Sequence, residues 1–244
     1  MNLPGWEKFW ENQTDSFDAV MKISTSYFAS QLETKLGLTE GVEIFDYGCG
    51  PGLLADSLQT KKVKITGADI NNLFIEQCKR KHPAFSFILI TTNLANNKEI
   101  LDKHLITKQF DFIILLSVAQ YLKNIESLEQ LLVMLCNYLK EDGKIVVADI
   151  VDDNTSSIAD ARALFLACLK SGKLRAFLRF MFYLISSDYK KLSGRVRLLK
   201  VPETAMINIS KNTALNCKKI NGLTLHPTRT SYILTKGPRT FKHE

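Results

Sequence analysis

Gly48, Gly50 and Gly52 alternate along the chain just after Asp46, and a second carboxylate, Asp69, stands about twenty residues further on. Glycines in that spacing permit left-handed backbone and let a ligand approach the main chain without meeting a Cβ atom. A helix opening near Leu53 would present free N–H groups and a positive dipole end to a carboxylate or phosphate. Asp69, closing a strand, could accept hydrogen bonds from both hydroxyls of a ribose. The residues therefore read as a nucleoside site. The dinucleotide fingerprint G-x-G-x-x-G does not fit, because Leu53 stands where its third glycine belongs. No Gly-Lys-Ser/Thr follows, so a P-loop does not fit either.

Proton-transfer groups are few. The chain has four histidines, His82, His104, His226 and His243. Of these, His226 is the candidate catalytic base, because its loop should open on the carboxyl side of the sheet, where the glycine loop also opens. Arg229, close behind it, could pair with an anionic group on a substrate. No histidine or cysteine spacing suggests a metal site. The five cysteines (Cys49, Cys78, Cys136, Cys168 and Cys217) are scattered and read as reduced thiols.

These groups need elements to hold them. Phe17 to Leu36 has apolar residues at helical spacing and ends at Gly37. Val42–Tyr47, Val63–Asp69, Phe85–Ile90, Phe110–Ser117 and Lys144–Ile150 are short apolar runs bounded by turn residues, which predicts five strands. Helices are predicted at Leu53–Gln59, Leu73–Lys81 and Ile125–Lys140. Phe110–Ser117 is apolar on both faces, as a central parallel strand should be. Strands and helices alternating at this rhythm predict right-handed βαβ units. The expected fold class is α/β: a doubly wound, mostly parallel seven-stranded sheet with a C-terminal antiparallel hairpin. After Asp153 the pattern turns helical from Ser156 to Leu184. A last helix at about Glu203–Cys217 then precedes hairpin strands expected at Gly222–His226 and Thr230–Thr235. The organisation expected is an N-terminal helical cap over residues 1–40, a ligand-binding domain over 41–153 and 200–244, and a helical insertion or lid over 154–199.

Composition narrows the class. Of 244 residues, 45% are hydrophobic and 23% charged, which suits a folded α/β domain. Met1 to Trp10 lacks an apolar leader segment, and with the unpaired cysteines this leads us to expect a cytoplasmic protein. The charge is lopsided: residues 1–150 carry −4 and residues 151–244 carry +11. A basic C-terminal third suits an anionic partner, whether a small molecule, a carrier protein, a membrane surface or nucleic acid, and equally suits a merely solvated face. The stretch Leu174–Ile185 is apolar with interleaved arginines. It is too short and too charged to span a bilayer, but could lie on a membrane surface or bury against the sheet.

Asp46-x-Gly48-x-Gly50-x-Gly52 resembles motif I of class I S-adenosylmethionine (SAM)-dependent methyltransferases, and Ala68-Asp69-Ile70 resembles their motif II. Phe110-Asp111 with Leu116–Leu122 is similar to motif IV, and Leu139–Val146 to the segment entering strand 5. Together they cover roughly residues 40–150. The resemblance implies SAM as cofactor and S-adenosylhomocysteine as product. It places the Gly48-Cys49-Gly50-Pro51-Gly52 loop under the methionine part and Asp46 at its amino group. Asp69 is placed on the ribose, Ile70 against the adenine, and Asn93 and Leu94 near the adenine amino group. Asn93 departs from the family, which usually has an acid there. Ser117 should face the methionine end, with Gln120 and Tyr121 reaching toward the transferred methyl. Trp10, in an aromatic cluster with Trp6, Phe9 and Phe17, and Arg229 are further candidates for the acceptor side.

Three functions follow from this reading. The first is methylation of a small molecule, in particular O-methylation of an aromatic, lipid-like or natural-product acceptor. That acceptor could be anionic or carrier-bound. The second is RNA methylation, suggested by the basic C-terminal third; against it, no Asn/Asp-Pro-Pro-Tyr-type motif follows strand 4 and no appended RNA-binding module is recognisable. The third is a non-catalytic interaction protein on the same fold, which the intact set of Asp46, glycines and Asp69 argues against. A monomer or a homodimer is expected.

Overall fold

The computed structural model describes residues 15–106, 109–186, 198–213 and 215–237; Trp6, Phe9 and Trp10 lie outside them. The elements run α1 (Asp15–Leu36), β1 (Glu43–Tyr47), α2 (Leu53–Leu58), β2 (Lys64–Asp69), α3 (Asn72–Lys81), β3 (Ser86–Leu89), α4 (Leu94–His104), β4 (Phe110–Leu116), α5 (Ile125–Cys136), β5 (Leu139–Ile150), α6 (Ser157–Lys170), α7 (Leu174–Ser186), α8 (Glu203–Asn212), β6 (Leu215–Ile220) and β7 (Thr230–Lys236). Short 3₁₀ turns lie at Gln59–Lys61 and Ala119–Tyr121.

The seven strands form one sheet in the order β3-β2-β1-β4-β5-β7-β6. β1 pairs in parallel with β2 and β4, β3 with β2, and β5 with β4, while β7 runs antiparallel between β5 and β6. The expected architecture is present. Side-chain alternation explains the two-sided core. Ile113 and Leu115 of β4 join the apolar cluster with Leu101 of α4, Leu128 of α5 and Met206 of α8. Phe112 and Ile114 face the other way, into the cluster with Phe28 of α1, Leu58 of α2 and Ile75 of α3. The chain runs outward from β1 through β2 to β3 and then crosses back to β4 on the other side of β1, so a crevice opens above the carboxyl ends of β1 and β4. A third, smaller cluster joins α1 to α6 and α7 through Val20, Leu164, Cys168, Phe177 and Phe180.

Four helix starts are set by side-chain caps. Asn71 accepts from the N–H groups of Leu73 and Phe74, Asn93 from Ala95, Asn124 from Ser127 and Ser156 from Ala159. Between α6 and α7 the chain turns at Gly172 (φ 67°), where Lys173 N–H donates to the Cys168 carbonyl.

Five elements differ from the sequence-based expectation. The last helix stops at Asn212, and the first hairpin strand is Leu215–Ile220, not Gly222–His226. Gly222–His226 is connecting chain, anchored by fully buried Leu223, so His226 sits in the loop between β6 and β7. Helix α4 occupies a stretch for which no element was predicted. The helix expected to reach Lys140 ends at Cys136, and β5 begins at Leu139, pairing with Phe110 before a register shift.

Candidate active site

A cavity of about 450 Å³ sits in the crevice at the carboxyl ends of β1, β2 and β4. Asp46, the Gly48–Pro51 loop, Asp69, Ile70 and Ser117 all line it, so most of the candidate cofactor residues are brought together. Tyr121 joins them from the 3₁₀ turn after β4, and Met21 and Thr25 from α1 overhead.

The loop's geometry depends on its glycines. Gly48, Gly50 and Gly52 all have positive φ (83°, 51° and 80°). At Gly48 a Cβ would stand 2.5 Å from Val118 Cγ2, and at Gly52 it would stand 2.8 Å from Cys78 Sγ. Only hydrogen fits at either position. Gly48 and Cys49 both donate their N–H to the Ala68 carbonyl (2.7 and 3.0 Å), which ties the loop to β2. Beneath it, Cys49 and Cys78 both direct their thiols at the Gly50 carbonyl (3.7 and 3.5 Å). The hydrogen bond to Cys78, together with burial, pushes the Cys49 thiol up, so it stays protonated.

Asp69 is gripped from both sides. One carboxylate oxygen accepts from Gly50 N–H (2.9 Å), the other from Asn71 N–H (2.9 Å). Burial raises its carboxyl, against the N–H groups of Asn71, Gly50 and Ile70. These bonds fix the carboxylate beside the loop and leave lone pairs for a diol. Asp46 is held differently. It is only 4% exposed, and among the described residues no hydrogen bond or ion pair to its carboxyl is observed. Burial, then the charge of Asp69, pushes it up to about 7. A buried carboxyl on a cavity wall with no cation beside it is a place for a ligand ammonium.

At the β4 and β5 ends, Ser117 and Asp149 both have left-handed backbone (φ 59° and 62°), rare for residues with side chains. Asp149 lies where β5 shifts register against β7, a bulge that re-aims its side chain. Ser117 Oγ donates to Asp149 Oδ2 (2.6 Å), and His226 Nδ1 lies 2.9 Å from Asp149 Oδ1. Burial opposes ionisation of Asp149, but the bond and charge of His226 and the charge of Arg229 hold it below the usual carboxylate range. Burial would lower His226; the bond to Asp149 and the charges of Asp149 and Asp160 outweigh it and raise the imidazole. Asp149 was not singled out from sequence. Its signal was available: Ala148-Asp149-Ile150 repeats the tripeptide Ala68-Asp69-Ile70 at the end of another strand.

Other candidates lie off the cavity wall. Asn93 Oδ1 caps α4, and Leu94 is half-buried against the core; Ile90 and Thr92 line the cavity at that end. Gln120 is buried, its Oε1 accepting from Arg229 Nη1 (3.3 Å), while Arg229 Nε donates to Asp160 Oδ2 (2.8 Å). Asp160 Oδ1 also accepts from Thr228 Oγ1 (2.7 Å), so this cluster ties the β6–β7 loop to α6. His226 is behind Ser117 and Asp149, one layer from the wall. Trp10 lies outside the described residues.

Comparison with known proteins agrees with this fold. A family model described as a methyltransferase domain matches residues 38–191. A ubiquinone biosynthesis O-methyltransferase of Mesorhizobium japonicum is 25% identical over 147 residues, covering 56% of each chain. The chain thus spans about half the length of the curated relatives it matches. A SAM-dependent methyltransferase of Clostridium acetobutylicum superposes with a TM-score of 0.56 at 13% identity, covering 87% of this chain and 91% of that one. Magnesium protoporphyrin IX methyltransferase of Synechocystis, solved with S-adenosylhomocysteine, superposes at 0.55 with 15% identity and covers 94% and 90%. Both share the fold. The donor set suits the cofactor of such enzymes: an unpartnered buried carboxyl for an ammonium, a side-chain-free loop for the methionine chain, and a braced carboxylate for a ribose. With its seven-stranded topology, motif order and family match, this chain belongs to the methyltransferase-domain family of class I SAM-dependent enzymes.

Proposed function

We propose that this protein methylates a small apolar or aromatic molecule on oxygen, with SAM as donor. The observation that carries the reading is one cavity that combines two kinds of wall. Asp46, Gly48, Gly50 and Asp69 supply polar groups matched to an amino-acid nucleoside, and Met21, Leu116, Val118 and Tyr121 add a largely apolar surface suited to an apolar acceptor. The matched relatives named as ubiquinone biosynthesis O-methyltransferases favour an aromatic hydroxyl as acceptor.

When bound, SAM supplies an electrophilic methyl on a positively charged sulfur. The chain's own residues orient, exclude water and handle a proton. Orientation comes from the loop and from Asp69, whose positions are locked by backbone hydrogen bonds; holding reactants in line supplies several kcal/mol. Met21 and Thr25 of α1 cover the cavity and limit water access. For an acceptor hydroxyl we assign the Asp149–His226 pair as the proton's destination, reached through Ser117 Oγ, which lines the cavity, can accept the acceptor's proton and passes its own to Asp149. Ser117 positions Asp149 from the cavity wall.

The test is turnover of a panel of catechols, phenols and carboxylates with radiolabelled SAM, set against bulk tRNA. Methyl transfer to phenolic oxygen is expected. Label confined to RNA, with transfer falling steeply as salt is raised, would replace this reading with RNA methylation.

A further inference from the structure

We propose that the outer surface of α6 and α7 docks this protein on an anionic lipid bilayer. The inference does not depend on which reaction the cavity performs. Outward-facing residues of α6 fall on one stripe, Ile158, Arg162, Leu166, Leu169 and Lys170, all exposed. Outward-facing residues of α7 fall on another, Arg175, Leu178, Arg179 and Phe182. Exposure of large apolar side chains here is substantial: 84% for Ile158, 58% for Leu178 and 72% for Phe182.

Charge on these helices has one sign. Between Ser157 and Phe182 the cations are Arg162, Lys170, Lys173, Arg175 and Arg179, each exposed, while the sole acid, Asp160, is buried against Arg229. Cations interleaved with protruding Leu, Ile and Phe side chains match the headgroup–acyl boundary, where arginine meets lipid phosphate and the apolar side chain enters below it. A nucleic-acid face would have little use for aliphatic side chains held out into solvent. No helix among the described residues is long and apolar enough to cross a membrane, so the mode is contact with one leaflet.

The inner side of the same pair gives the contact a purpose. Phe177 and Phe180 of α7 and Leu164 of α6 pack in a cluster that Met21 and Tyr121 adjoin, and both of these line the cavity. A protein resting on α6 and α7 would hold its cavity one helix layer from the lipid, where an apolar molecule dissolved in the bilayer is available.

The experiment is flotation of the full chain with vesicles of phosphatidylcholine containing about 30% phosphatidylglycerol, against vesicles of phosphatidylcholine alone. Binding to the anionic vesicles, weakened by salt, is expected. The double substitution Arg175→Gln/Arg179→Gln should lower the partition coefficient roughly 30-fold, at about fivefold per cation. Leu178→Asn should weaken binding while leaving its salt dependence intact. Thermal melting of each variant checks that the fold is kept, which is expected because these side chains project into solvent. Failure of the wild-type chain to float, equal flotation of the arginine variant, or capture of bulk RNA in preference to anionic vesicles would overturn the proposal.

Discussion

Asp46 should make the empty protein less stable in order to bind its ligand, and Asp46→Asn should show both effects at once. The carboxyl is pushed from 3.8 to about 7 by burial and by Asp69. A carboxyl raised in the folded state contributes stability at acid pH that is lost as pH rises through the folded value. From about pH 4 to pH 8 this loss is about 4 kcal/mol, at 1.36 kcal/mol per unit. Asparagine keeps the shape and removes the charge, but its amide must also be buried, so about half of that, ~2 kcal/mol, should be recovered. For a chain of this size that is a rise of roughly 4–8 °C in Tm at about pH 8, and almost none at about pH 5, where the native carboxyl is already neutral. Ligand binding should move the opposite way. Losing a charge-assisted bond to the SAM ammonium should weaken binding about 10- to 100-fold at pH 8. Wild-type affinity should fall about tenfold between pH 8 and pH 6, since the carboxylate must first be freed of its proton. In Asp46→Asn the slope should shrink, because the group that titrates in this range is gone. Scanning fluorimetry of the ligand-free protein and titration calorimetry with SAM read the two halves separately. A variant no more stable than wild type at pH 8, or a wild-type affinity unchanged between pH 6 and pH 8, would refute the reasoning.

Asp69→Ala removes the shared acceptor of Gly50 and Asn71 N–H groups, so it should lower Tm as well as SAM affinity; affinity unchanged in calorimetry would discard the ribose assignment. Gly48→Ala puts a Cβ 2.5 Å from Val118 Cγ2 at φ 83° and should abolish SAM binding, while adding Val118→Ala should restore stability in part and binding less, the backbone strain remaining. His226→Ala should cut kcat about 10²- to 10⁴-fold with SAM affinity within about twofold. Asp149→Asn should shift the acid limb of the kcat/KM profile to lower pH, because Asp149 is what raises the His226 imidazole; an unmoved limb would show that another group governs it.

How legible the molecule is from sequence depends on whether a residue's role is local. Asp46, the glycines and Asp69 belong to one strand–turn–helix–strand unit, so their spacing alone implies their proximity. β4 was readable because a strand buried on both faces is a continuous apolar run. β6 was not, because it is the edge strand: Leu215-Asn-Cys-Lys-Lys-Ile220 leaves Asn216, Lys218 and Lys219 exposed, and such a segment carries little alternation. Gly222-Leu-Thr-Leu-His226 alternates better, yet its apolar residues serve to plug Leu223 into the core beneath a loop. α4 hid behind Leu-Ala-Asn-Asn-Lys-Glu, whose polar residues mask a helix packed mainly by Leu101. The resemblance implies a place for Asn93 near the adenine, but its side chain caps α4 and it does not line the cavity. Arg229, suggestive beside His226, meets Asp160 from a distant helix, a partner no local spacing announces.

The residues that escaped the sequence reading share a cause with those that form the site. A strand's carboxyl end is where the ladder stops constraining side chains to alternate faces, so a residue there can be turned toward the crevice by one unusual dihedral angle. Ser117 and Asp149 each take that turn, at a cost on the order of 1–3 kcal/mol. Their 2.6 Å bond and the Asp149–His226 contact offset part of it. Folding alone gives no reason to keep two strained residues and a buried, unpartnered Asp46 within one crevice, since apolar residues on regular strands would be more stable. What they have in common is polarity directed into a space that the protein does not fill with its own side chains. The sheet gives up local stability at the point where its strand order reverses, and the charge and hydrogen bonding left over there are what a bound nucleoside can use.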